Sequence, residues 1–112
     1  MNFMIGVDSE RIDRFKVINY EKYCKKFLSV AEKKYFKTLQ DSKKQKFIAS
    51  RFSSKEAIFK ALGIGIDEVK FSDITILSND KGKPIVDYKG YNIELSITYN
   101  DTYVTTFVII EL

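Results

Sequence analysis

The rhythm of hydrophobic and polar positions changes once along this chain, near Gly63. Before it, apolar residues recur at helical spacing. After it, short β-branched runs alternate with turn residues. The opening run Phe3-Met4-Ile5-Gly6-Val7 predicts a buried strand that ends at Asp8. Ile12, Phe15, Ile18, Tyr23 and Phe27 then mark a roughly helical stretch from Glu10 to Phe27, interrupted near Asn19. Ser29-Val30-Ala31-Glu32 has the form of a capping box, which predicts a helix from Val30 to about Leu39. Asp41-Ser42 reads as the N-cap of a long helix running to Ala61 or Leu62, with Gly63 as its stop. Strands are predicted over 74–77, 84–88, 93–98 and 103–111, separated by turn signals at Asn79-Asp80-Lys81-Gly82, Lys89-Gly90 and Asn100-Asp101. Short connections favour antiparallel neighbours. One strand, then helices, then a meander gives an α+β class: an antiparallel sheet packed against a long central helix, as a single domain over 1–112.

The long helix breaks the usual amphipathic rule. At 100° per residue, Phe47, Ile48, Phe52, Ile58, Phe59 and Leu62 form one stripe, and Arg51 and Lys55 fall inside it. Glu56 and Lys60 lie beside it, one turn apart. A buried charge costs several kcal/mol unless it is paired or liganded. These charges therefore require a metal, a phosphate or each other.

Composition narrows the chemistry. With 112 residues, 45% of them hydrophobic, the chain can build an ordinary core. No apolar run is long enough to span a bilayer, and the N-terminus lacks the pattern of a secretory signal, so the default location is cytoplasmic. The single Cys24 cannot form an internal disulfide and reads as a structural thiol. There is no histidine, which excludes His/Cys zinc chemistry and leaves carboxylate, Lys, Tyr, Cys or water as acid or base. The net charge of +4 favours an anionic partner without identifying it.

Each candidate residue carries two readings. Asp8, at a strand end, can hold a hard cation such as Mg²⁺ or cap the next helix. Glu10 is either a further ligand or a complement to a helix dipole. Glu56 and Lys60 form either a surface pair or, with Arg51, a site for a phosphorylated ligand with Glu56 on the metal. Gly63-Ile64-Gly65 serves either as a helix stop or as a close approach to phosphate. Lys43, Lys44 and Lys46 read as a solvated face, and Tyr99 either stacks on a ligand or packs.

Taken in order, these segments resemble the holo-acyl-carrier-protein synthase family, the small 4'-phosphopantetheinyl transferases. Ile5-Gly6-Val7-Asp8 is similar to the family's opening strand and metal aspartate, and Arg14-Phe15 to its first-helix motif. Arg51-Phe52-Ser53-Ser54-Lys55-Glu56-Ala57 resembles its R-F-[AS]-[AS]-K-E-A signature, followed by Lys60-Ala61 and Gly63-Ile64-Gly65-Ile66. Phe71-Ser72-Asp73-Ile74, Gly82-Lys83-Pro84, Leu95-Ser96-Ile97-Thr98 and Val108-Ile109-Ile110-Glu111 match later blocks.

The resemblance implies that coenzyme A donates its phosphopantetheine arm to a serine of apo acyl carrier protein, releasing 3',5'-ADP. It implies that Asp8 and Glu56 hold Mg²⁺ (Mn²⁺ stays open), that Glu56 is the base, and that Lys60 stabilises the leaving group. Arg51, Gly63, Gly65, Lys83 and Pro84 would hold the nucleotide end, with Lys43 or Lys44 on the 3'-phosphate. Arg14, with Lys16, Lys22, Lys25 and Lys26, would face the acidic carrier. A homotrimer with an active site at each subunit interface is implied as well. Two positions depart from the pattern. Tyr99 stands where the family usually has histidine, and Ile64 replaces a common threonine. Asp8-Ser9-Glu10 also resembles the Asp-x-Glu of the larger surfactin-type transferases, which would make Glu10 a third ligand. Tyr99 and Ile64 motivate the competing reading of a non-catalytic coenzyme A or carrier-binding module. The interleaved Tyr, Phe and Lys of 20–36 give only weak support to nucleic-acid binding, and neither nucleic acid nor membrane is expected as a partner.

Overall fold

The computed structural model describes residues 2–64 and 70–112. Strand β1 (Phe3–Arg11) leads through two 3₁₀ turns to α1 (Tyr20–Phe27), α2 (Val30–Thr38) and α3 (Asp41–Leu62). A 3₁₀ turn over Phe71–Asp73 precedes β2 (Thr75–Ser78), β3 (Pro84–Asp87), β4 (Asn92–Tyr99) and β5 (Tyr103–Glu111). The mixed helical and antiparallel class stands. Three local expectations change. The first strand does not stop at Asp8 but continues to Arg11, because β5 offers it partners throughout, Asp8 opposite Thr106 and Arg11 opposite Tyr103. Asp8 is thus a mid-strand residue and caps no helix. Between Arg11 and Tyr20 the chain makes two separate 3₁₀ turns, Ile12–Arg14 and Val17–Asn19, in place of the expected helix. Asp41 lies inside the first turn of α3, with Gln40 at the N-cap and no side-chain cap.

The expected meander is divided. β5 is the centre of a sheet ordered β1-β5-β4, and β2 pairs with β3 as a separate hairpin. Periodicity locates strands but not the edge each one takes, and the N-terminal strand takes the free edge of β5. The capping box on α2 forms as predicted, with Ser29 Oγ accepting from Glu32 N and Glu32 returning to Ser29 N. Gly63 ends α3 in the left-handed region at φ 69°.

α3 packs across β1 and β5 and buries Ile48, Ala57 and Ile58 against Val104, Val108 and Ile110. At one end Phe15, Phe27, Phe52 and Phe71 close an aromatic cluster, with Phe27 and Phe52 centroids 4.9 Å apart. Gly6 lets β1 lie directly on α3, since a Cβ there would fall 2.0 Å from the Ala57 carbonyl oxygen. Among the described residues no helix lies over the other face of the sheet. Phe3, Ile5 and Val7 on β1 and Phe107 and Ile109 on β5 are exposed there as a continuous apolar strip.

Candidate active site

The contact that Gly6 permits brings Asp8 beneath α3. The Asp8 carboxylate is buried, and its Oδ1 accepts from Lys60 Nζ at 2.9 Å. Lys60 also donates to the Val7 carbonyl at 3.3 Å. Ser53 steadies this stretch of β1 by donating to the Asp8 carbonyl at 3.3 Å and lying 2.9 Å from the Thr106 hydroxyl. Asp8 Oδ2 is buried with no partner, a condition shared among the described residues only by the neutral Ser54 hydroxyl.

Other carboxylates gather around Asp8. Glu10 lies two residues on and therefore on the same face of β1, and Arg14 donates to it. Burial, then a hydrogen bond to Asp8 and its charge, push the Glu10 carboxyl up to about 7, against the pull of Arg14. Burial and then the Asp8 charge raise Glu56, with Lys60 and Arg14 opposing. The hydrogen bond to Asp8 raises Lys60. The Arg14 guanidinium lies 5.0 Å from the centroids of both Phe15 and Phe52. Among the described residues there is no ready-made cage of three ligands. Asp8 and Glu56 suit a hard cation that completes its shell from water and phosphate oxygen.

The opposite face of α3 carries a different site. Tyr35, Leu39, Lys43, Lys46, Phe47, Arg51, Ser78 and Tyr99 line a cavity of about 360 Å³. Arg51 is buried, stacked 4.2 Å from the Phe47 ring centroid, and donates to the Ile76 carbonyl at 3.1 Å and the Ser50 hydroxyl at 3.0 Å. Lys46 lies 5.9 Å from the Tyr99 ring centroid. This is a basic, aromatic cleft suited to phosphate and a flat ring.

Residues 4–108 match the 4'-phosphopantetheinyl transferase superfamily profile. The chain belongs to that superfamily. It is similar to the holo-[acyl-carrier-protein] synthase of Oceanobacillus iheyensis, 38% identical over 96% of this chain and 94% of that one. It is 42% identical, with the same coverage, to the enzyme of that name from a Geobacillus species. The crystal structure of a holo-(acyl-carrier-protein) synthase from Bacillus anthracis in complex with CoA (3',5'-ADP) superposes with a TM-score of 0.88. It is 34% identical, covering 96% of this chain and 95% of that one.

The phosphopantetheinyl transferase fold thus distributes the sequence-predicted residues in two groups. Asp8, Glu56 and Lys60 come together, with Glu10 and Arg14 beside them. Arg51, Tyr99 and Lys43 come together elsewhere, on the opposite face of α3, since nine residues at 100° put Arg51 opposite Lys60. The single ligand imagined across Arg51, Glu56 and Lys60 therefore does not fit one copy of α3. Lys44 pairs with Asp41 at 3.4 Å. Lys83 pairs with Glu94 at 2.9 Å on the surface, and Pro84 starts β3. Gly63 is the helix stop, and Gly65 lies outside the described residues. Sequence reasoning missed Tyr35 and Ser78 in the cleft and read Lys46 as merely solvated. Lys55, read as a buried charge in need of a partner, is fully buried and donates to Glu32 Oε1 and the Phe27 carbonyl, each at 2.6 Å. Glu32 was legible only as the capping-box acid.

Proposed function

We propose that this chain is a holo-[acyl-carrier-protein] synthase. It transfers the phosphopantetheine arm of coenzyme A to a serine hydroxyl of an apo acyl carrier protein, releases 3',5'-ADP, and serves fatty acid biosynthesis in the cytoplasm. The reading is carried by the full-length likeness to enzymes of that name, together with a buried, unpartnered carboxylate oxygen where the chemistry needs an acidic group.

Asp8 and Glu56 would hold Mg²⁺, and the buried Asp8 Oδ2, which has no hydrogen-bond partner, supports the fit. When bound, the ion supplies neutralisation of charge on the pyrophosphate during transfer. The protein's own groups do the rest. Burial makes Glu56 more basic than an ordinary carboxylate, which suits it to take the serine proton. Lys60 keeps its proton beside Asp8 and stabilises charge developing on the leaving phosphate. Arg51, with Lys43, Lys46 and Tyr99, binds the nucleotide end. Arg14 and the lysines of α1 meet the acidic carrier, so association weakens with salt.

Arg51 and Lys60 face opposite ways on α3, so the two halves serve one coenzyme A only if different copies supply them. The bare apolar strip on β1 and β5 supports assembly of copies. A homotrimer with an active site at each interface accounts for both observations. The test is intact-mass spectrometry of an apo carrier incubated with the protein, coenzyme A and Mg²⁺. A gain of one phosphopantetheine, abolished by EDTA, is expected. Coenzyme A binding without any gain on several carriers would favour the non-catalytic binding module, for which Tyr99 in place of histidine is the motivation.

A further inference from the structure

Glu32 and Lys55 form a buried ionic joint away from the reacting groups. Both side chains are fully buried. Glu32 Oε1 accepts from Lys55 at 2.6 Å and from Ser29 N at 2.8 Å, and its Oε2 accepts from Ile76 N at 2.9 Å. The carbonyl of the same Ile76 accepts from Arg51 Nε at 3.1 Å. In a strand, the N–H and C=O of one residue face the same edge. Both groups of Ile76 are therefore turned from β3 toward the helices, and two ionised side chains take the place of a third strand. One residue earlier, Thr75 Oγ1 donates to Ser29 Oγ at 2.8 Å. Two residues later, Ser78 lines the cleft with Arg51.

We infer that Glu32 and Lys55 are positioning residues for the transfer reaction: by docking the Ile76 edge of β2 against α3, they set the cleft between Ser78 and Arg51 that holds the nucleotide end of coenzyme A. The inference rests on the proposed function. Apolar side chains of similar volume would serve stability as well as a buried ion pair. They would offer no acceptor to the Ile76 N–H and no hold on a strand edge that has no neighbouring strand among the described residues.

The test compares the parent with Glu32→Gln, in which one of three donors must face an amide N–H instead of oxygen. Four quantities are read: thermal melting, amide exchange over residues 75–78, affinity for 3',5'-ADP by calorimetry, and KM and kcat for coenzyme A. Faster exchange over 75–78 is expected. Affinity for 3',5'-ADP should weaken, and KM for coenzyme A rise, by about tenfold, with kcat held within about twofold. Unchanged affinity and KM would overturn the inference whatever happens to melting, and so would a fall in kcat at constant KM. If Glu32→Gln does not fold, Glu32→Asp, which keeps a carboxylate for Lys55 but shortens the reach to the Ile76 N–H, is judged by the same readings. A parent that binds no 3',5'-ADP overturns the functional reading and the inference together. Equal binding by parent and variant overturns the inference alone.

Discussion

The two charged groups on α3 are built from the same residue types to opposite ends. Around Glu32 and Lys55 every oxygen has a donor, the ion pair is closed to water, and the joint ties α1, α2, α3 and β2 together. Burial pulls Lys55 down to about 8, and the Glu32 charge resists. Around Asp8 the accounting is left open. One carboxylate oxygen has no partner, burial and then the neighbouring Asp8 push Glu10 and Glu56 up, and Lys60 stands half in solvent. Closed networks hold structure, and repelling open ones await a ligand.

That contrast can be broken at several points. The largest effect is expected from Lys55→Met, which strands a buried carboxylate and should cost about 3–5 kcal/mol of stability in urea unfolding. A variant that unfolds like the parent would mean that the pair carries no weight. Glu56→Gln should behave oppositely, with an unchanged melting temperature and kcat lowered about a thousandfold, roughly 4 kcal/mol of barrier. Retention of normal turnover would remove Glu56 from the base role. Gly6→Ala drives a methyl into the Ala57 backbone and should cost about 3 kcal/mol, at the upper end for overpacking. Activity should fall with it, because Asp8 rides on the displaced strand.

The smallest effect is a slope with pH. Glu10 in the folded protein keeps its proton up to about 7, against an ordinary 4.5. The folded state binds the extra proton between those values, so this contribution to stability is complete below pH 4.5 and is lost as pH rises through 7. Melting curves of the metal-free parent and Glu10→Gln should converge in acid, with the variant gaining toward alkaline pH. Parallel curves would show that Glu10 is not under strain.

Much of this was legible because local rules decided it. The capping box at Ser29, the glycine stop at Gly63 and the β-branched runs after it state their own conformations. Arg51 and Lys55 in an apolar stripe announced buried charge correctly, but a wheel cannot name a partner 23 residues away. The partner of Lys55 therefore stayed open among a metal, a phosphate and another charge, and it is Glu32. Asp8 looked like a strand end because polar residues usually mark one, while pairing with β5 carries the strand past it. The cleft was the least legible part. Ser78 and Tyr35 have no distinctive spacing and meet only when β2 docks on α3.

The opposed facing of Arg51 and Lys60 on α3 also reaches into heredity. On the interface reading, the copy that gives its cations to a site is not the copy that gives its carboxylates. Two alleles, one damaged at Arg51 and one at Glu56, would each fail alone. A cell carrying both would recover some sites, assembled from the sound half of each product. The same geometry lets one defective allele spoil sites on its healthy neighbours, so complementation and dominance would share a single structural cause.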